Sequence, residues 1–274
     1  FRIFSPMGKL SKDRRDAYYK RAKEEGLRAR SAYKLMQLDD KYKLIGGCRL
    51  IVDLCAAPGG WTQVIQQRVP ASNNPLIVAV DLHEMAAIPG VTMIRGDITA
   101  PSTVAEVLQV FAGERADLVV SDGAPDVTGG HDFDEYVQYQ VLLSALLITT
   151  KVLRSGGTFV AKIFRGEGVG RVYAKLLRFF DKVTIGKPRT SRNSSPEAYV
   201  VCEGFRILPS EAQSAFEESY WSLPQDEAMV AFVACGDTTG LDADMNYEIA
   251  QGQKALAPVQ PPITAPYLDA LRRP

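Results

Sequence analysis

The chain reads as an α/β protein built on a largely parallel sheet with helices on both faces, and three observations say so. First, apolar runs at 50–54, 76–80, 91–94, 117–120 and 157–163 alternate with helical stretches at 61–69, 102–112 and 133–154. Parallel neighbours cannot be joined by a tight turn, so strands that alternate with helices imply crossovers and a parallel sheet. Second, the first run ends at Asp53, and a small-residue turn, Cys55-Ala56-Ala57-Pro58-Gly59-Gly60, opens the next helix at Trp61. Small residues let a ligand approach the backbone, and a fresh helix start offers unpaired N–H groups. Third, the last two strand candidates, 182–187 and 198–202, are separated only by the short stretch 188–196. That suits a hairpin, so the final strand is expected to run antiparallel.

The elements follow in order. Residues 11–25 have a helical pattern with Gly26 as its stop, and Tyr18 and Tyr19 stand there among Arg14, Arg15, Lys20, Arg21 and Lys23. Basic residues interleaved with aromatics suit phosphate contact plus base stacking, and equally suit a helix packed through its tyrosines. Residues 31–38 have helical apolar spacing with Ser31 as the expected N-cap, and Lys34 lies within them. The long segment 133–153 stops at Arg154-Ser155-Gly156-Gly157, and 172–180 supplies another helix. After Phe205 the periodicity fades, leaving one helix pattern at 226–235, an acidic loop at 236–247 and a proline-rich end. This stretch reads as an appendage that wraps the domain or meets a partner.

At 274 residues the chain can bury a full core as one large domain with extensions. Residues 1–6, ahead of Met7, are not assigned to the fold. No apolar run reaches membrane-spanning length, and the start lacks the apolar stretch of a signal peptide. Cys48, Cys55, Cys202 and Cys235 show no C-x-x-C spacing, and His83 and His131 are the only histidines, so no metal site is expected. Reduced thiols and a cytoplasmic location follow. Formal net charge is zero, but residues 1–49 hold 14 Lys and Arg against 6 Asp and Glu, and residues 162–192 hold 9 against 2. Residues 205–274 hold 4 against 10. Two basic stretches form a polyanion-binding face if folding brings them together. The candidates for RNA contact are Lys12, Arg14, Arg15, Lys20, Arg28 and Arg30 in the first, and Arg165, Arg189 and Arg192 in and around the second.

Ligands of open α/β sheets bind outside the carboxyl ends of the strands. There the sequence places Asp53, then Asp81-Leu82, then Asp97-Ile98, then Asp122, with Lys162 inside the fifth run. Asp81 follows the glycines by the interval at which a carboxylate reaches a cofactor ribose. The turn Ala57-Pro58-Gly59-Gly60-Trp61 is not G-x-G-x-x-G, and Pro58 removes an N–H that a pyrophosphate cradle would use. A nicotinamide-dependent dehydrogenase is therefore disfavoured. A sulfonium cofactor, S-adenosylmethionine, needs no such cradle, and its charge suits several carboxylates. Asp97 could accept from an adenine amino group. The fourth strand end, Ser121-Asp122-Gly123-Ala124-Pro125, lacks the D/N-P-P-aromatic motif of amine methylation and the cysteine of cytosine-C5 methylation. A lysine at the fifth strand end suits a hydroxyl acceptor, provided burial or a neighbouring cation such as Lys34 lowers its pKa. Glu197, opening the last strand, could hold one lysine.

These motifs together resemble the FtsJ/RrmJ family of RNA ribose 2′-O-methyltransferases, from about Arg28 to Gly204. The family's K-D-K-E tetrad matches Lys34, Asp122, Lys162 and Glu197, and its cofactor positions match Gly59, Trp61, Asp81, Asp97 and Asp122. The resemblance implies a Rossmann-like seven-stranded sheet, with Lys162 as proton acceptor. It also implies a division into a basic extension (1–27), a methyltransferase domain (28–205) and an appendage (206–274). Residues 122–136, Ala234-Cys235-Gly236-Asp237 and the Pro-Val-Gln-Pro-Pro end are more similar to the eukaryotic branch that modifies the tRNA anticodon loop. That branch implies methylation of the wobble nucleotide and of the nucleotide opening the loop. It also implies an accessory helical-repeat or WD-repeat subunit that selects the position. The rivals are a ribosomal-RNA methyltransferase of the same family and an inactive RNA-binding module with this fold.

Overall fold

A computed structural model describes residues 16–125, 131–237, 241–244 and 259. The parallel crossovers appear as Leu50–Leu54 (β1), Gly60–Arg68 (α3), Leu76–Asp81 (β2), Val91–Arg95 (β3), Pro101–Val110 (α4), Ala116–Ser121 (β4), His131–Val152 (α5) and Leu153–Phe164 (β5). Ahead of them stand Ala17–Glu24 (α1) and Ala32–Tyr42 (α2). After them come Val169–Leu176 (α6), Phe180–Pro188 (β6), Glu197–Phe205 (β7), Ser210–Glu218 (α7) and Ala231–Cys235 (β8). The sheet order is β3-β2-β1-β4-β5-β7-β6-β8. Within it β7 alone is reversed, antiparallel to both β5 and β6, as the short 188–196 connection requires.

Strict alternation within the strands divides the core in two. Ile51, flanked by Ile77 and Leu118, faces α1, α2 and α3, where Leu35, Leu38, Trp61, Val64 and Ile65 are buried. Val52, flanked by Val78 and Val119, faces the other side, where Val107, Phe111, Leu142, Leu146 and Val172 are buried. A strand covered on both faces reads as a continuous apolar run, which is why β1 is buried throughout.

Several expectations shift. The seven expected strands are β1–β7, and β8 is an eighth, paired parallel to β6 where a helix over 226–235 was expected. Its Ala231-Phe232-Val233-Ala234 run lacks a decisive period, and the open edge of β6 decides for a strand. The segment after Phe205 is thus part of the same layers: Phe216 of α7 and Cys235 of β8 are buried in the two cores. Ser31 is not a side-chain cap; its own backbone is helical, with φ −59° and ψ −22°. The helix expected at 11–25 is described as α1, capped by Asp16, whose side chain accepts from the Tyr19 N–H at 3.1 Å. Residues 11–15 lie outside the described residues. The helix expected at 172–180 starts and ends earlier, as α6, because Phe180 begins β6. No helix among the described residues is long and apolar enough to cross a membrane.

Candidate active site

Parallel strands deliver their carboxyl ends to one edge, and the polar residues collect there. The turn after β1 needs left-handed backbone at Cys55 (φ 54°) and at Gly59 (φ 102°) before α3 begins. A side chain at Gly59 would also meet the Arg28 guanidinium at 2.9 Å. Arg28 donates to the carbonyls of Pro58 (3.2 Å), Ala86 (2.6 Å) and Ala87 (2.8 Å), stapling the turn to the segment after β2. Arg28, expected at the RNA, thus spends both terminal nitrogens on carbonyls of the fold, while its buried Nε has no partner among the described residues.

Beside this turn lies a cavity of about 550 Å³. Of the expected cofactor residues, Ala57, Asp81, Leu82, Asp97, Ile98 and Asp122 line it. Asp81 accepts from the N–H groups of Ala57 (2.9 Å) and His83 (2.8 Å), so its carboxylate is fixed at the wall. Asp97 accepts from the N–H and the hydroxyl of Thr99, both at 2.8 Å. Pro58, Gly59 and Gly60 shape the turn behind the cavity. The Trp61 side chain faces away from it: Nε1 donates to the Ser31 carbonyl at 2.9 Å, and the ring packs on Tyr199. Asp53 lies beneath the site, 1 % exposed, with Oδ2 accepting from the Thr62 hydroxyl at 2.6 Å and Oδ1 without a partner. Burial raises its carboxyl to about 7, and the charges of Asp122 and Asp81 add to the rise. Periodicity did not single out the opposite wall, Val137, Gln140, Val141 and Ser144 of α5. Their i, i+3, i+4, i+7 spacing was its available signal.

The cavity is lined by Asp81, Asp97 and Asp122 and by no lysine or arginine among the described residues. That donor set fits a cofactor bearing a sulfonium and an ammonium group, and it disfavours a pyrophosphate.

The four tetrad residues meet at the end of this cavity. Lys34 of α2 bonds to both Glu197 oxygens, at 2.6 and 2.8 Å, across 163 sequence positions. Lys162 of β5 pairs with Asp122 Oδ1 at 2.8 Å, donates to the Asp122 carbonyl at 2.9 Å and lies 3.8 Å from Glu197. Burial opposes the charge on Glu197, yet Lys34 and Lys162 overcome it and bring the carboxyl down to about 2. Burial also lowers Lys34 below the ordinary lysine value, against the pull of Asp122 and Glu197. At Lys162 burial acts the same way, but Asp122 and Glu197 outweigh it and the ammonium is raised. The lowering that the sequence reading required of Lys162 is therefore absent from the resting cluster.

Three supporting residues were missed. Tyr199 is fully buried and donates to Asp122 Oδ1 at 2.8 Å. Ser191 donates to Glu197 Oε1 at 2.5 Å. The Gln138 amide bridges the Gly123 and Lys162 carbonyls, both at 3.1 Å, tying the ends of β4 and β5 together. Tyr199 was legible as the same-face neighbour of Glu197 two residues along a strand; Ser191 depends on the path of the 188–196 connection, and Gln138 on contacts with β4 and β5.

The remaining expected RNA contacts divide. Arg30 is bonded to Asp16 and to the Thr190 carbonyl, and Arg192 lies 3.4 Å from Asp16. Arg189 donates to the Leu241 carbonyl at 3.2 Å. Tyr18 is buried against Tyr33, so the packing reading of that tyrosine holds. Lys20 is half-buried on α1, while Arg165 is exposed. Lys12, Arg14 and Arg15 lie outside the described residues.

Comparison with known proteins agrees with this geometry. The chain is 50 % identical over 279 residues to a mouse (Mus musculus) tRNA (cytidine(32)/guanosine(34)-2′-O)-methyltransferase, covering 97 % of this chain and 86 % of that protein. The protein of the same name from Schizosaccharomyces pombe is 49 % identical, covering 97 % of each. A solved Plasmodium falciparum structure, described as a ribosomal RNA methyltransferase, is 28 % identical with a TM-score of 0.59 over 65 % of this chain and 98 % of that one. The family description "FtsJ-like methyltransferase" matches residues 27–205, from the Arg28 staple through the whole tetrad, and the chain belongs to that family.

Proposed function

We propose that this methyltransferase transfers a methyl group from S-adenosylmethionine to ribose 2′-hydroxyls of tRNA in the anticodon loop, at the nucleotide that opens the loop and at the wobble nucleotide. The observation that carries the reaction is the cluster of Lys34, Glu197, Lys162 and Asp122, with Asp122 also lining the acid-walled cavity. One residue thereby belongs to the cofactor side and to the acceptor side. The choice of tRNA rests on the higher identity to the tRNA enzyme, 50 % over 97 % of this chain, against 40 % over 81 % for an rRNA methyltransferase of Neurospora crassa. A position-selecting helical-repeat or WD-repeat subunit and a cytoplasmic location complete the proposal.

Ala57, Asp81, Leu82, Asp97, Ile98 and Asp122 would hold the cofactor, which supplies an electrophilic methyl group when bound. The protein's own work is alignment and proton handling. A ribose hydroxyl placed at the tetrad meets the Lys162 amine, which is fixed from two sides by the Asp122 carboxylate and carbonyl. Glu197, held by Lys34 and Ser191, keeps a second carboxylate against both lysines. Because Lys162 rests protonated, it first orients the hydroxyl oxygen as a donor. Only the deprotonated fraction of the enzyme takes the 2′-hydroxyl proton as the oxygen attacks. Most of the acceleration comes from holding the reacting atoms in line.

The test is incubation of the chain with tRNA and labelled S-adenosylmethionine, with and without candidate subunits, followed by mapping of alkali-resistant dinucleotides. Label at positions 32 and 34 supports the proposal; label confined to ribosomal RNA transfers it to the rival reading. Lys162→Ala is expected to lower transfer by about 100- to 10,000-fold while cofactor affinity stays near wild type. Wild-type turnover in that variant would remove the lysine from the reaction.

A further inference from the structure

Beside the tetrad the sheet presents an aromatic face that the reaction as described does not use. Phe232 of β8 is 51 % exposed, and the Arg165 guanidinium carbon sits over its ring, 4.9 Å from the centroid. Arg165 immediately follows β5. Its N–H donates to the Pro196 carbonyl at 3.0 Å, next to Glu197. Its guanidinium is exposed and makes no ion pair or carbonyl contact among the described residues, unlike Arg28, Arg30 and Arg189. Between Arg165 and the tetrad stands Lys187, which donates to the carbonyls of Glu197 (2.5 Å) and Ser195 (2.9 Å). Burial brings the Lys187 ammonium down to about 8 against the pull of Glu197, and the charges of Arg165 and Lys34 add smaller pushes downward. Of these three cations Lys34 is paired with Glu197 and Lys187 is held by two carbonyls, which leaves Arg165, over the face of Phe232, to meet an outside anion.

Register gives the span. Ala161, Val200, Ile185 and Phe232 share one row across β5, β7, β6 and β8, about 14 Å at ordinary strand spacing, so the Phe232 ring stands on the sheet face opposite the Lys162 side chain, and Arg165, at the carboxyl end of β5, links the two. A second nucleotide of a single strand that passes from the tetrad over this carboxyl edge can reach that far. Exposed aromatic rings next to unpaired cations are how proteins hold unstacked bases, the ring meeting the base and the cations meeting the phosphates. A protein partner would have to supply an acidic group for Arg165, whereas a nucleic acid carries such groups along its backbone.

We propose that Phe232, with Arg165 closing over it, is a stacking platform for a nucleobase near the methylated nucleotide, and that it sets the substrate's register at the tetrad. This rests on the reading that the substrate is RNA. Phe232 is a positioning residue and takes no part in the transfer.

The test is binding of the full chain to an anticodon stem-loop ribonucleotide at fixed salt, read by fluorescence anisotropy. Phe232→Ala is expected to weaken binding by about 10-fold, and Phe232→Leu nearly as much, with Phe232→Tyr close to wild type. Removing single bases locates the partner. At one loop position the loss of the base should cost the wild type about 10-fold and cost Phe232→Ala nothing further, the non-additivity of a direct contact. Arg165→Lys, which keeps the charge and loses the planar fork, should lie between the two. In turnover, Phe232→Leu should raise KM for the stem-loop with kcat little changed. The proposal is overturned if Phe232→Ala binds as wild type, or if base removal is additive with it at every position. It is also overturned if Phe232→Ala releases an accessory subunit while RNA affinity stays unchanged. Because binding is read without methyl transfer, failure to methylate tRNA would overturn the reaction and leave the stacking result to stand by itself.

Discussion

At the residue scale the decisive fact is that four charges, from α2, β5, β7 and the residue that follows β4, neutralise each other in a buried cluster. Glu197 falls to about 2 from 4.5, so its contribution to stability is complete above the unfolded value and is lost as pH drops toward 2. Asp53 behaves oppositely. Its folded value of about 7 lies above the unfolded 3.8, so the native state keeps a proton that the unfolded chain has released, and stability falls as pH rises across that window. Asp53→Asn should therefore flatten the pH dependence between those values, an effect of order a few kcal/mol at about 1.4 kcal/mol per unit. Thermal melts at pH 5 and pH 8 check it: the wild type should lose ground to the variant at the higher pH. Parallel curves would mean that Asp53 does not titrate there. Lys162 adds a kinetic prediction. Since its ammonium is raised, log kcat should climb with unit slope through neutral and mildly alkaline pH. A plateau at neutral pH would instead point to Lys34, the lysine that burial lowers.

At the element scale the turn between β1 and α3 depends on a residue outside both. Arg28 reaches three carbonyls from the start of the domain, and Gly59 leaves room for its guanidinium. Arg28→Ala should destabilise the fold by about 1–3 kcal/mol and weaken cofactor binding, because carbonyls lose a charged donor and the cavity wall is released. Arg28→Lys should recover little, since an ammonium cannot span the same fork. Denaturant unfolding and cofactor titration separate the two effects; unchanged values in both would return Arg28 to the surface role first read for it. The edge strand β8 makes the matching point for pairing. Nothing within 231–235 distinguishes strand from helix, whereas β6 offers it a row of hydrogen-bonding partners.

At the scale of the molecule, zero net charge conceals a basic amino-terminal segment and an acidic tail. The tail meets both basic stretches: the Tyr18 hydroxyl of the first donates to the Leu241 carbonyl at 2.6 Å, and Arg189 of the second lies 3.8 Å from Asp242. Part of the basic surface is thus balanced internally. Charge reversal at Arg14, Arg15 and Lys20 should weaken tRNA binding and reduce the slope of log affinity against log salt by about 1 for each phosphate contact removed. A salt titration by filter binding reads this directly, and an unchanged slope would return the helix to a packing role.

By itself the sequence determined the alternation of strands and helices, the reversed β7, the acids at the strand ends and, through motif resemblance, the four members of the tetrad. These are local signals: periodicity reports which face is buried, and a strand end marks its own carboxyl edge. Tertiary structure alone decided that Arg28 is a staple, that Ser31 is not a cap, that β8 extends the sheet and that Lys162 rests protonated. All but the Ser31 backbone, which is local, depend on neighbours from distant parts of the chain, as with Lys34 and Glu197 across 163 positions. A charge balance or an open strand edge exists only after such partners have met.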